Sequence, residues 1–420
     1  MFAKHNSVAF FYGIPLFNFY CSVFTSLQLN KFDMKFKLLV LLLIFNVQLS
    51  ICNYCTAQDT SRLRISLLTC TPGAELYSTF GHSAFRMVDS NSVNDIVYNY
   101  GTFNFDDDNF LIKFIRGKLQ YYISTEDFSD FKAAYQSENR GITEQVLKLS
   151  AIEKISIKRF LLNNLKEENK YYKYDFILDN CTTRLKDILK QHHDSSFTKT
   201  TVMPVGTTFR NAIHIYLNNN KQFWSKLGID ILLGSPMDKK MSIEEQEFLP
   251  DNLMYSLDSN KQQMILSSQN LYPLPNTTIS KPIFTPLIIL GLVLIFIIGL
   301  GFIKNGFVQT ALNGLFGLFF FLLGLLGFIL LFMWHFTDHA TCKNNFNLLW
   351  AIPSHLIVSF FINSKKSWVK KYLRINLLLQ SLLLLSWFFL PQQMNDALLP
   401  VVFLSMYISY KKAVLTDYTN

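Results

Sequence analysis

Residues Tyr174–Leu189 read YDFILDNCTTRLKDIL, and the hydrophobic period changes in the middle of the stretch. Tyr174, Phe176 and Leu178 alternate as in a strand, whereas Leu185, Ile188 and Leu189 recur with helical spacing. The seam is Asn180-Cys181-Thr182-Thr183, so Cys181 falls in the first turn of a predicted helix. A cysteine there meets unpaired backbone N–H groups and the positive end of the helix dipole. Both lower a thiol's pKa, and the same N–H groups can hold an oxyanion. Cys181 is a candidate nucleophile.

A thiol nucleophile needs a base. In YSTFGHSAFRMVD, residues 77–89, Ser78, Phe80, His82, Ala84 and Arg86 share one face of a predicted strand, and Gly81 allows close backbone approach. His82 is therefore the favoured partner. His192 and His193 lie in a polar tail after the Cys181 helix, His214 sits in an apolar helical pattern that suits a packed residue, and His5 belongs to a leader. Around this pair the chain reads as a small α+β domain. IVYNYGTFNF (96–105), LQYYIS (119–124) and GITEQVLKL (141–149) are strand-like, and Ser150-Ala151-Ile152-Glu153 is a capping box opening a helix through Leu165. The run Asp106-Asp107-Asp108 lacks the glycine and later glutamate of a calcium loop and reads as a solvated turn. GxSxG, Walker A and HExxH motifs are absent from the sequence.

The chain has 420 residues, half of them apolar, and this allows two domains. From Ile283 onward it becomes long apolar blocks, whereas residues 58–282 have a mixed composition. The net charge of +9 is not a nucleic-acid signature: Lys365, Lys366, Lys370, Lys371 and Arg374 cluster between two apolar blocks, and no basic-aromatic reading surface accompanies them. Since about 20 apolar residues cross a hydrocarbon core of roughly 30 Å, five spans are expected at Ile283–Ile303, Phe307–Trp334, Leu348–Ile362, Ile375–Leu390 and Ala397–Ser409. With the mixed domain outside, the Lys365–Arg374 cluster and Lys411-Lys412 fall inside, and the outer loops carry almost no basic residues, as the positive-inside rule requires.

The N-terminus reads as an address. Met34-Lys35-Phe36-Lys37 is a basic start, Leu38 to Val47 an apolar core and Cys55-Thr56-Ala57 a cleavage site. The expected organisation is an upstream extension at 1–33, a signal peptide at 34–57, a periplasmic catalytic domain at 58–280, and a transmembrane domain with a short cytoplasmic tail at 281–420. Cys70, Cys181 and Cys342 survive leader removal. In an oxidising compartment an odd count leaves at least one thiol free, with Cys70–Cys342 as a possible disulfide.

LLTCTPGAELYSTFGHSAFRM, YNYGTFNF, YDFILDNCTTRLKDIL, LGIDILLGSPMD, EEQEFLPDNLM and TDHATCKNNFNLLWAIPSH together resemble the Lnb N-terminal periplasmic domain family, across nearly all of Ile65 to Ser409. That resemblance implies an α+β periplasmic domain with a circularly permuted papain-like thiol-enzyme fold, followed by an all-α membrane domain of about five transmembrane helices. NlpC/P60 peptidases and lecithin:retinol acyltransferases share the plan, in which a strand histidine precedes a helix-start cysteine. It implies a multi-pass protein of the bacterial inner membrane that N-acylates lipoproteins, with membrane phospholipid as acyl donor, diacylated lipoproteins as acceptor, and neither cofactor nor metal. By resemblance Cys181 is the nucleophile and His82 the base. Asn99 on the next strand fits the orienting group, with Asn104 and Asp106 as rivals. Expected substrate contacts are Tyr77, Asn180 and Arg184 near the pair. Asp338, His339, Asn345 and Asn347 join them from the polar loop HFTDHATCKNNFNLLW, with Trp350 as an interfacial anchor. A membrane-tethered NlpC/P60-like cysteine peptidase or amidase acting on cell-wall peptides, and a non-enzymatic envelope scaffold, are the alternatives.

Overall fold

The computed structural model describes residues 62–193, 198–272 and 282–415, together with the helical positions 35, 36, 39, 42 and 43. The expected cleavage site and upstream extension lie outside the described residues.

Seven strands form one sheet: β1 (Leu63–Cys70), β2 (His82–Asp89), β3 (Asn94–Thr102), β4 (Gln120–Asp127), β5 (Ile142–Leu147), β6 (Tyr171–Lys173) and β7 (Ile265–Tyr272). Their order is β6-β4-β3-β2-β1-β5-β7, and every neighbouring pair is antiparallel. β1 lies near the middle of the sheet, where both faces are covered. That is why LRISLLTC is apolar almost throughout instead of alternating, and Ile65, Leu67, Leu68 and Cys70 are all fully buried. The helices of six residues or more in this part are α1 (Phe110–Ile115), α2 (Phe128–Ser137), α3 (Ala151–Asn164), α4 (Cys181–His192), α5 (Phe209–Asn219), α6 (Phe223–Leu232) and α7 (Pro250–Ser259). Side chains of α3, α4 and α7 join one sheet face in a core with Phe85, Tyr98 and Ile123. Phe131 of α2 packs on the other face against Leu68, Ala84 and Val97.

The capping box at Ser150 forms: its side chain accepts from the Glu153 N–H, and the Glu153 carboxylate accepts from the Ser150 N–H at 2.7 Å. Two strand expectations are corrected. Pairing before α4 stops at Lys173, because the Asp175 carboxylate accepts the N–H groups of Ile177 and Leu178, both at 2.9 Å, and folds 175–179 into a turn. β2 begins at His82, and Leu76–Ser78 is a 3-10 turn, so Ser78 and Phe80 do not extend the histidine face.

The C-terminal part is helical: α8 (Pro286–Gly301), α9 (Gly306–His335), α10 (His355–Ser359), α11 (Ser367–Ser386) and α12 (Leu399–Tyr410). Among the described residues, two helices are long and apolar enough to cross a membrane, Gly306–His335 and Asp396–Leu415, and Pro286–Gly301 is a shorter apolar helix. The expected regular span at Leu348–Ile362 is corrected. Only His355–Ser359 is α-helical there, and the segment runs back along α9 in a broken path. Glycines of α9 admit it. A Cβ at Gly327 would sit 2.2 Å from the Ala351 carbonyl oxygen, and one at Gly324 would sit 2.1 Å from the Leu356 nitrogen. Farther along, Asn363 donates to the Asn313 carbonyl at 3.3 Å. α9 thus covers part of this irregular backbone with protein.

The two parts meet through the turn after α6. Gly234 donates to the Thr341 carbonyl at 2.8 Å, and a Cβ at Gly234 would sit 1.9 Å from the Lys343 carbonyl oxygen. Behind this contact Arg210, fully buried, pairs with Asp230 at 2.8 Å and Asp238 at 2.9 Å and donates to the Leu233 and Gly234 carbonyls. Asp230 in turn accepts from His214 and from Asn395, each at 2.8 Å.

Candidate active site

Cys181 is the first residue of α4, and Asn180 fixes it there. The Asn180 side-chain oxygen accepts the N–H groups of Thr182 and Thr183 at 2.8 and 2.9 Å, while its amide donates to the Phe176 and Phe248 carbonyls. Thr183 returns the bond, accepting the Asn180 N–H at 2.8 Å. Such a cap is worth about 1 kcal/mol to the helix. It also consumes two of the first-turn donors and leaves the N–H of Cys181 itself unclaimed by the cap. Asn180 is expected to contact substrate; its side chain is buried and makes four hydrogen bonds that fix the helix start at Cys181 instead.

His82 opens β2 at the same end of the sheet. Gly81 precedes it with φ of +79°, where a Cβ would come 2.6 Å from the Cys70 carbonyl oxygen, so this turn admits only glycine without rearrangement. Across the pairing, β3 is irregular between Asn99 and Thr102, and Gly101 there has φ of +91°. The irregularity brings α4 to the sheet end: a Cβ built on Gly101 would lie 3.7 Å from the Cys181 Cβ.

Three side chains then form a relay behind the thiol. His82 Nε2 bonds Asn99 Oδ1 at 3.1 Å, and Asn99 Nδ2 donates to Glu126 Oε1 at 2.7 Å. Glu126 accepts only, so it sets the Asn99 amide with its oxygen toward His82. With that oxygen facing it, Nε2 carries the hydrogen of the bond and Nδ1 is the remaining ring nitrogen. Asn104 and Asp106 are bonded to each other in the following turn, so neither rival is the group on His82.

Electrostatics follow from this packing. Burial raises the Cys181 pKa, but the His82 charge and hydrogen bond, the Ser83 backbone N–H and the Thr182 hydroxyl outweigh it and bring the thiol to about 7 from 9.0. For His82, burial acts downward, and the attraction of Cys181 with the bonds to Cys181 and Asn99 raises the ring above its ordinary 6.5. Each shift favours the charged form of its group, the thiol moving down and the ring moving up. Cys70 shows the contrast. Burial pushes its thiol up to about 12, outweighing the Tyr135 hydrogen bond and the charge of Arg140. Cys342 rises to about 11 by burial, and both cysteines are free.

Residues 52–213 match the family model of the Lnb N-terminal periplasmic domain, and residues 278–419 match that of the Lnb transmembrane domain. The chain belongs to the Lnb family. It is a membrane protein with a periplasmic domain. No curated protein and no solved structure matches it.

The other expected contacts of this Lnb chain are distributed differently. Tyr77 is exposed on its 3-10 turn. Arg184 holds Asp179 with two bonds of 2.6 and 2.7 Å and stacks 3.6 Å over the Tyr172 ring, so it braces the turn before α4 and is not free for substrate. Asn345, Asn347 and Trp350 are corrected as well. Asn345 donates to the Ile231 and Leu232 carbonyls and Asn347 to the Asp230 carbonyl, and the Trp350 indole donates to Asn347 at 2.9 Å. All three are buried, with their polar atoms spent on joining the two parts. At the start of this loop Asp338 pairs with Lys173 at 2.8 Å, and His339 bonds the Phe114 carbonyl at 3.0 Å. His192 and His193 are held by Ser156 and Glu153, away from the thiol. Glu126 is the member that sequence reasoning missed. Among the described residues, no group of three or more His, Cys, Asp and Glu is placed to hold a metal ion.

Proposed function

We propose that this chain is a cysteine acyltransferase that moves an acyl chain from a phospholipid to the α-amine of a diacylglyceryl-cysteine lipoprotein. The observation that carries the reading is the couple of Cys181 and His82, set by Asn99 and Glu126 on a domain joined to apolar helices. A histidine at a strand start followed by a cysteine at a helix start supports a circularly permuted papain-like plan. The apolar helices, with the broken segment at 348–362, support a multi-pass anchor in the bacterial inner membrane.

Catalysis runs in two balanced steps. The Cys181 thiolate attacks the ester carbonyl carbon of the phospholipid, and the oxyanion forms toward the Cys181 N–H at the start of α4. The C–O ester bond breaks, the His82 imidazolium gives its proton to the departing oxygen, and lysophospholipid leaves a thioester on Cys181. The lipoprotein amine then attacks the thioester carbon and passes a proton to His82. The C–S bond breaks to return the thiolate. Both substrates are held by the bilayer, and this gives the attached helices a purpose that trimming soluble wall peptides would not.

Mass spectrometry of N-terminal lipopeptides tests the reading in cells that carry wild-type or Cys181→Ala protein as the sole copy. Triacylated peptides should become diacylated in the variant. Unchanged lipopeptides with altered wall peptides would replace acyl transfer by hydrolysis.

A further inference from the structure

We propose that α1 lies in the bilayer surface and that the aromatic side chains behind it form the track along which the donor's acyl chain reaches Cys181. The proposal rests on the acyl-transfer reading and deepens it by naming where the lipid enters.

α1 reads FLIKFI and buries none of its residues, an unusual outcome for so apolar a helix. Leu111 is 64% exposed, Ile112 57% and Phe105 in the preceding turn 67%. The helix is fixed at the end of α9: Asp338 donates its N–H to the Arg116 carbonyl at 2.9 Å, and His339 bonds the Phe114 carbonyl. α9 ends at His335, so these contacts set α1 level with the end of the longest apolar helix. An apolar face at that level is covered by lipid rather than by water. Arg116 and Lys118 follow it directly, where positive charge suits phosphate headgroups.

From α1 the aromatic rings run inward without a break. Phe114 and Phe110 stack with centroids 6.1 Å apart, Phe110 lies 6.0 Å from Phe103, Phe103 5.2 Å from Tyr121, and Tyr121 4.5 Å from Tyr174. Tyr174 and Cys181 then meet at Gly101, where a built Cβ would lie 3.4 Å from Tyr174 Cε2 and 3.7 Å from Cys181 Cβ. Such a row offers an acyl chain apolar contact from the surface to the nucleophile. It also gives the polar start of the 335–350 loop a reason: Lys173, Asp338 and His339 frame the entrance.

Two measurements test the proposal. First, Leu111→Cys in a Cys181→Ser background is labelled with an environment-sensitive dye and placed in nanodiscs with lipids spin-labelled near the headgroup. Val93→Cys, 92% exposed on the hairpin at the opposite end of β2, is the control. Quenching at 111 and none at 93 is expected; no quenching at 111 overturns the placement. This arm needs no turnover, so it decides the position of α1 even if acyl transfer is wrong. Second, Phe103→Ala and Phe110→Ala should lose turnover of long-chain phospholipid about tenfold more than turnover of a short soluble thioester, since each removes a large apolar contact. Equal loss on both substrates would sink the track.

Discussion

The pole at Cys181 and the junction at Asp230 are built from the same kinds of residue, yet they do opposite things. At the junction every polar partner closes on another: Arg210 and Asp230 engage Asp238, His214 and Asn395, and Asn347 donates to the Asp230 carbonyl. Burial works against the Asp230 charge, but His214 and Arg210 outweigh it and hold its carboxyl below the usual range. At the pole the chain Glu126–Asn99–His82 closes on one side only and ends on a partly exposed thiol. Histidine, asparagine and carboxylate in a row are thus no mark of a site. What distinguishes the pole is a reactive atom left at the end of the row.

Four substitutions set the two regions against each other. Cys181→Ala should lower turnover by about a thousandfold or more while leaving the melting temperature unchanged, since the nucleophile itself is gone. His82→Ala should cost about 10² to 10⁴ in rate and shift the reactivity of the thiol. In wild type the thiolate population, read as iodoacetamide alkylation, grows as pH rises through about 7. Without the imidazolium only burial and weaker bonds remain, so the half-point should climb toward or above the ordinary 9.0. An unmoved half-point in His82→Ala would separate the histidine from the thiol.

Asp230→Ala should act on stability, costing about 3–5 kcal/mol because it strips a buried arginine of a partner. Thermal unfolding in detergent reads this, and the folded fraction should keep its alkylation half-point. Asn99→Ala is the mildest, with about a ten- to hundredfold loss of rate and little change in melting, since the ring keeps the thiol but loses its orienting acceptor. A melting drop as large as that of Asp230→Ala would make Asn99 a junction-type residue.

How far these regions could be read in the sequence follows from the range of their contacts. The Cys181 seam and the Ser150 capping box depend on neighbours three residues away, and period and capping rules expose them. Gly81 before His82 is a local signal too. Glu126 carried none: only the β3–β4 register, which pairs Val97 with Glu126, sets it two positions along the strand from the partner of Asn99. Asn345 and Asn347 looked like a surface site because their partners lie more than 110 residues earlier. The turn at 175–179 was hidden by its apolar alternation, although Asp175 was the local sign of it. Glycines at 324 and 327 were the unread sign that a chain would press against α9.

Intact-protein mass spectrometry of the purified chain after incubation with phospholipid addresses the acyl carrier itself. One acyl chain should be added, mapped to the Cys181 peptide and released by neutral hydroxylamine. An adduct on Cys70 or Cys342, or one that persists in Cys181→Ala, would contradict a thioester at Cys181.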